Sequence, residues 1–249
     1  MNNALYVGLS RQMTLKREMD VIANNIANSD TVGFKVENLM LREDVQQTSA
    51  KAGQPSGLNQ KITFVHDAGV SREYTQGALK QTGGVFDLGL EGEGFFAVQT
   101  QDGTRYTRDG RFSMNAKGQL VDVAGNTVLN SSNSPIQIDP TKTQPSIAHD
   151  GSISQDSVIA GKVGVFKFAD RSMLQKTGSG LYDTGGQPAT ADPGTKIQQG
   201  MIENSNVDAI QQMTRMISVS RAYEQVAGMM DQTGATSDES IQRLGKVAN

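Results

Sequence analysis

The hydrophobic period of this chain changes twice along its length, and that change constrains its folding more than any single residue does. Near the amino end Leu15, Met19, Ile22 and Ile26 recur at intervals of 4, 3 and 4, with Leu5 and Leu9 one turn apart upstream. This is the stripe of an amphipathic helix, whose apolar side chains share one face when the backbone turns every 3.6 residues. The spacing predicts a helix over residues 3–28. It should stop near Asn28, Ser29 and Asp30, whose short polar side chains compete with the helical backbone, with Gly33 beyond. Toward the other end Met216, Val219, Tyr223, Val226 and Met230 repeat at 3, 4, 3 and 4, and Ile210, Met213 and Ile217 widen the apolar face to nearly half the circumference. Ser205 and Asp208, in a Ser-x-x-Asp arrangement, mark the expected start of this second helix. Gly234 and the run Thr236-Ser237-Asp238 are expected to interrupt it.

Between the helices, over residues 80–190, the period becomes two. Short runs such as Phe95-Phe96-Ala97-Val98, Leu120-Val121-Asp122-Val123, Ile136-Gln137-Ile138 and Val163 to Phe168 are separated by turn signals. These are Asp102-Gly103, Asp109-Gly110, Lys117-Gly118, Gly125-Asn126, Asp150-Gly151 and Gly185-Gly186. Residues 31–80 show neither period. They read as an extended connector with room for one short helix near residues 36–48, and Gly53 to Gly57 as an exposed loop. The expected class is α+β, with N- and C-terminal α-helices flanking an inserted all-β domain of short antiparallel strands. The expected parts are a helical domain of residues 1–30 and 203–249, the connector 31–80, a β-rich domain over 81–185 and a return connector over 186–202. Each terminal stripe has three ways to be buried: on the middle of its chain, on the other terminus, or on copies of itself, the last two making the helices pair like a coiled coil.

Composition narrows the function. Of 249 residues 36% are hydrophobic and 5% aromatic, with no Trp, which argues against one large compact core. The absence of Cys removes disulfides, thiolate metal sites, Fe–S ligation and cysteine nucleophiles together, and two histidines, His66 and His149, cannot make a three-histidine zinc site. A net charge of -3 provides neither a basic footprint for nucleic acid nor an acidic tail. No stretch approaches the ~18 uncharged apolar residues of a membrane span. The first residues lack a basic region followed by an apolar run, so no cleaved leader is expected.

The search for chemistry returns little. Gly89-Leu90-Glu91-Gly92-Glu93-Gly94 has the order G-x-x-G-x-G, not that of a dinucleotide fingerprint, and its acids would repel a phosphate. Glu91 and Glu93 are the most suggestive carboxylate pair; they keep a glycan-acting enzyme as a remote alternative, beside a glycan-binding module for which aromatics are scarce. Asp102, Asp109 and Asp150 each precede glycine and read as turns, not calcium ligands. Arg105, Arg108 and Arg111 around Tyr106 read as cross-strand packing and solvated edge charge. No cofactor and no metal is expected.

Four segments, taken together, resemble one family. Ile22-Ala23-Asn24-Asn25-Ile26-Ala27-Asn28, continuing to Lys35, looks like the amino-terminal signature of bacterial flagellar axial proteins of the rod and hook. Gln76 to Gly83 with Asp87 to Phe96 is similar to that family's second block, although Gly84-Val85-Phe86 stands where Asn-Pro-Leu is often found. Tyr106 to Phe112 is similar to its third, and Gln199 to Val207 with Arg221-Ala222-Tyr223-Glu224 to its fourth. Length and the run Ser240 to Val247 look most like the proximal-rod branch, the distal-rod branch being the near alternative. The resemblance implies a structural subunit without an active site, exported by the flagellar type III apparatus and packed helically in the periplasm with other rod proteins and with itself. It implies no nucleic acid and no direct membrane insertion. Both terminal helices would form the inner layer of a tube, with the β-domain outside.

The candidate assembly interface is then Leu15, Met19, Ile22 and Ile26 on the first helix, and Ile210, Met213, Met216, Ile217, Val219, Tyr223, Val226 and Met230 on the second. Asn24 and Asn28, four apart with Asn25 beside them, are expected to fix register by hydrogen bonds between packed helices.

Overall fold

The computed structural model describes residues 2–47 and 61–247. They divide into two compact units, each gathered from segments distant in sequence. The first takes the described parts of Met1–Ala27, Glu37–Ser71 and Asp208–Asn249, the second Asn28–Val36 and Arg72–Val207.

The first unit is built on α1 (Asn2–Ala27), the paired strands β1 (Glu37–Gln47) and β2 (Lys61–Arg72), and α2 (Ala209–Val247). Leu15, Ile22 and Val219 are buried between the helices, with Met19, Ile26, Met216, Ala222, Tyr223 and Val226 packed around them. The terminal stripes therefore bury each other. At one end of this seam Gly8 faces Met230, whose Cγ would lie 2.9 Å from an added Cβ; at the other, Asn25 meets Gln212 at 3.3 Å. The two helices thus run antiparallel.

Three expectations need correction here. The second helix starts at Ala209, because Asp208 is its cap: the Asp208 carboxylate accepts from the Gln211 N–H at 3.0 Å, while Ser205 holds the Val207 N–H before the helix begins. Gly234 and residues 236–238 do not interrupt α2, which runs unbroken for 39 residues. A glycine weakens a helix by about 1 kcal/mol but removes no backbone donor, as proline would; Thr233 and Thr236 bond back to the Met229 and Gln232 carbonyls without leaving the helix. The short helix near 36–48 is instead β1. Its cause is long-range: the Asn25 amide accepts from the Glu37 N–H at 2.9 Å and donates to the Glu37 carbonyl at 2.7 Å, imitating a neighbouring strand and holding the chain extended. The loop expected over Gly53 to Gly57 lies outside the described residues.

The second unit holds β3 (Leu79–Gln81), β4 (Leu88–Glu91), β5 (Phe95–Thr100), β6 (Gly103–Thr107), β7 (Ser113–Met114), β8 (Leu120–Val121), β9 (Thr127–Val128) and β10 (Ser146–Ile147). It continues with β11 (Ser152–Gln155), β12 (Val158–Lys162), β13 (Val165–Lys167), β14 (Gln175–Gly178), β15 (Leu181–Asp183), β16 (Thr190–Ala191), β17 (Lys196–Gln199) and β18 (Met201–Glu203). The largest sheet runs β14-β15-β6-β5-β9-β8-β7, and β13 joins it between β5 and β16. Its continuous apolar run has a reason. Phe96 and Val98 of β5 enter one core with Leu88, Leu120 and Ile153, whereas Phe95 and Ala97 enter a second with Tyr106, Phe166 and Tyr182. Both faces of β5 are buried, so it does not alternate.

Ile136 to Ile138 makes one isolated bridge, at Gln137, rather than a strand, yet both isoleucines are buried in the first core. Residues 196–202, expected as connector, fall in β17 and β18, which pair antiparallel with β4 and β3. This return brings the late part of the chain back onto its early part and prepares the site described below.

Polar turns around the sheets have measurable acidity. Asp139, Asp150 and Asp170 each accept from the backbone N–H and the hydroxyl of Thr141, Ser152 and Ser172, two residues on. These bonds hold all three carboxyls below the usual range, Asp150 at about 2. A folded value below the unfolded ~3.9 adds stability that is present above ~3.9 and lost as pH falls toward the folded value. Carboxyl NMR titration should place the Asp150 midpoint at about 2, and Ser152→Ala should raise it. An Asp150 midpoint equal in parent and variant would refute this origin.

Candidate functional site

Within the second unit, four segments meet at one buried carboxylate. Glu203, at the end of β18, accepts from the Lys35 ammonium at 2.6 Å and the Gly77 N–H at 2.9 Å on Oε1, and from the Arg108 guanidinium at 3.1 Å on Oε2. The side chains of Lys35, Arg108 and Glu203 are fully buried. Lys35 also donates to the Thr75 carbonyl at 2.6 Å, and Arg108 lies over the Phe95 ring at 4.8 Å. Burial pulls Lys35 and Arg108 below their ordinary pKa ranges, Glu203 opposing the shift in both and Arg171 adding to it.

The backbone closes the same junction. The Gly33 N–H donates to the Glu203 carbonyl at 2.8 Å, and Asn204 N–H to that of Ala78 at 2.9 Å. Asn206 accepts from the Val36 N–H at 2.8 Å and donates to the Glu73 carbonyl at 2.9 Å. Gly33, at φ +69°, could not carry a Cβ without striking the Arg108 backbone, and a Cβ on Gly77 would collide with the Asn204 carbonyl. Lys35, Gly77, Arg108 and Glu203 each belong to one of the four sequence segments singled out above. The charged groups of Lys35, Arg108 and Glu203 all lie in the interior.

In the first unit, the structure divides the residues expected at an interface into two groups. Leu15, Met19, Ile22, Ile26, Met216, Val219, Tyr223 and Val226 lie in the seam between α1 and α2, and Met230 lies against Gly8. Ile210, Met213 and Ile217 are exposed. The wide apolar face of α2 is thus two faces, one satisfied within the chain and one open. Among the asparagines, Asn25 reaches Gln212 across the seam, Asn24 lies exposed, and Asn28 accepts from the Thr31 hydroxyl and N–H just beyond α1.

Sequence reasoning missed the charge cluster. Arg108 is not a solvated edge charge, although its neighbours are salt-bridged near the surface: Arg105 to Asp183 at 2.9 Å and Arg111 to Asp109 at 2.7 Å. One signal was available, since Arg108 and Arg105 lie three apart on β6 and the loop after it, which cannot put them on the same face. Glu91 accepts from Gln198 at 3.0 Å and Glu93 pairs with Arg171 at 3.1 Å, so the two carboxylates serve different neighbours. Gly89 to Gly94 leads from β4 into β5, with no helix N-terminus to receive a phosphate. His149 is exposed with its ring nitrogen at 3.0 Å from the Ile197 carbonyl, and the His66 side chain lies outside the described residues. No helix among the described residues is long and apolar enough to cross a membrane.

An antiparallel pair of terminal helices and an inserted β-unit with an inward-facing charge junction define an α+β protein class. Three family profiles match. That of the flagella basal body rod protein covers residues 5–35, that of the flagellar hook protein FlgE/F/G D1 domain residues 89–155, and that of the flagellar basal body rod FlgEFG protein C-terminal region residues 198–243. The chain is 46% identical over 251 residues to the flagellar basal-body rod protein FlgF of Caulobacter vibrioides, covering 99% of this chain and 100% of the relative. It is 38% identical to FlgF of Mesorhizobium japonicum, over 98% and 99%. Against the flagellar basal-body rod protein FlgG of Bacillus subtilis the identity is 35%, over 98% of each. The chain belongs to the flagellar basal-body rod protein family.

Removing the one anion of the junction should be costly. Glu203→Gln leaves Lys35 and Arg108 buried without a counter-charge and should destabilise the protein by about 3–5 kcal/mol in urea denaturation. Lys35→Met, which leaves the Glu203–Arg108 pair in place, should cost less. Equal, small losses for both would show that the cluster does not hold the fold.

Proposed function

We propose that this chain is a structural subunit of the bacterial flagellar basal-body rod, of the FlgF kind, set in the proximal rod. It polymerises helically with other axial proteins and with itself, and transmits motor torque. The observation that carries this reading is the full-length similarity to FlgF at 46% identity, above the 35% of the FlgG relative. The open stripe Ile210-Met213-Ile217 supports it physically, because three large aliphatic side chains left in water at one helix face are stabilised when a neighbour covers them. In this reading the helix pair forms the inner wall of the tube and the β-unit faces outward.

Delivery is by the flagellar type III export apparatus, to the periplasmic segment between the inner-membrane ring and the distal rod. A chain with no cysteine suits passage in an unfolded state, since no disulfide has to form or rearrange afterwards. Position-specific labelling of purified rods tests the placement: label in the proximal segment supports it, and label confined to the distal segment overturns it.

The two faces of α2 should separate in mutation. Ile217→Asp lies on the open face and should change stability by no more than about 0.5 kcal/mol while abolishing incorporation into rods and motility. Tyr223→Asp places a charge in the α1–α2 seam and should loosen the helix pair itself, read as faster amide exchange in both helices. Normal motility of the Ile217→Asp strain would refute the role of the open face.

A further inference from the structure

Three Asp-Gly steps lie at turns of the second unit: Asp102-Gly103, Asp109-Gly110 and Asp150-Gly151. At such a step a peptide chain can attack its own side chain, because glycine carries no Cβ to hinder the approach of its nitrogen. The three steps have the same covalent structure, but the fold treats them differently.

We propose that Asp102-Gly103 is a site of spontaneous covalent modification, at which aspartate converts through a succinimide to isoaspartate, while the fold protects the other two steps. The Gly103 nitrogen bonds to Asp102 Cγ, and the amide proton and the carboxyl hydroxyl leave together as water. Water then opens the ring. Opening at the side-chain carbonyl restores aspartate; opening at the main-chain carbonyl leaves isoaspartate, with the backbone running through Cβ.

At the other two steps the carboxylate is tied down. Asp109 Oδ1 accepts from the Arg111 N–H at 3.1 Å and from its Nε at 3.0 Å, and Oδ2 from its Nη2 at 2.7 Å. Asp150 Oδ1 accepts from the Ser152 N–H at 3.1 Å, and Oδ2 from the Ser152 hydroxyl at 2.7 Å and Lys162 at 3.4 Å. The nucleophile is held there too, since the Gly151 N–H donates to the Ala148 carbonyl at 2.9 Å. These bonds must break before the carboxyl can turn onto the following nitrogen, which slows ring closure by roughly tenfold or more. Holding Asp150 at about 2 also leaves roughly a hundredfold less of the protonated acid, the form that loses water, than an ordinary carboxyl near 3.9 would have.

Asp102 has none of this protection. It is exposed at the turn between β5 and β6, and among the described residues no hydrogen bond or ion pair holds its carboxylate. Gly103 stands at φ +108° in open space, where an added Cβ would meet nothing closer than Arg105 Nη1 at 3.9 Å. By contrast, a Cβ on Gly110 would strike the Leu88 carbonyl, and one on Gly151 would lie 3.0 Å from that of Val163. The backbone there has no room for the extra methylene of isoaspartate, whereas an exposed hairpin tip accepts such an insertion.

The test incubates the full-length protein at neutral pH, folded and in urea, and reads each Asp-Gly peptide for isoaspartate by electron-transfer mass spectrometry. The folded chain should modify Asp102 at least about tenfold faster than Asp109 or Asp150, and the unfolded chain should modify all three at comparable rates. Ser152→Ala, which removes one bond from Asp150, should raise isoaspartate at Asp150 several-fold and leave Asp102 unchanged. Folded protein that modifies the three steps alike, or spares Asp102 while the unfolded chain reacts there, overturns the proposal. So does an unfolded chain with the same preference as the folded one, or an Asp150 rate unmoved by Ser152→Ala.

Discussion

Glu203 is the point at which the second unit becomes a single object. Its carboxylate is reached by Lys35 across 168 residues of chain, by the Gly77 N–H across 126 and by Arg108 across 95. Two cations and an anion removed from water gain little over a well-packed apolar core, but a lone buried charge is severely penalised. The cluster thus disfavours every arrangement in which one of the segments is displaced. Because those segments lie far apart in sequence, the entropy of bringing them together is spent before the contact is gained. The hairpins β5–β6 and β11–β12, by contrast, close over a few residues.

Around this junction the chain reverses direction. Gly33 can approach the Arg108 backbone because it has no Cβ, and Gly77 can pass Asn204 for the same reason. Asn206 then ties the segment leading to Asp208 onto Val36 and Glu73. These small and polar residues carry no chemistry of their own. Their role is steric and hydrogen-bonding: they let four passes of backbone lie closer than side chains would permit.

What was legible in the sequence followed local rules. The stripe of α1 and the Asp-Gly and Gly-Gly turns depend on neighbours a few residues away, and the helix and most of the turns lie where those patterns place them. β1 was not legible, because the strand pairs with β2 and takes its first hydrogen bonds from Asn25, with no alternation of its own to reveal it. Arg108 was misread for a similar reason: its burial depends on an anion 95 residues later. The continuous helix through Gly234 was missed because a local breaker was given more weight than the absence of proline.

The width of the α2 stripe is where sequence, fold and assembly meet. Nearly half the circumference is apolar, more than one helix partner can cover, since a two-helix seam occupies only the a and d positions of each heptad. Met216, Val219, Tyr223 and Val226 fill that seam within the chain. Ile210, Met213 and Ile217 are the surplus, and surplus apolar surface on a folded subunit stabilises whatever assembly buries it. Because the two faces are separate, the helix pair need not open for a neighbour to dock.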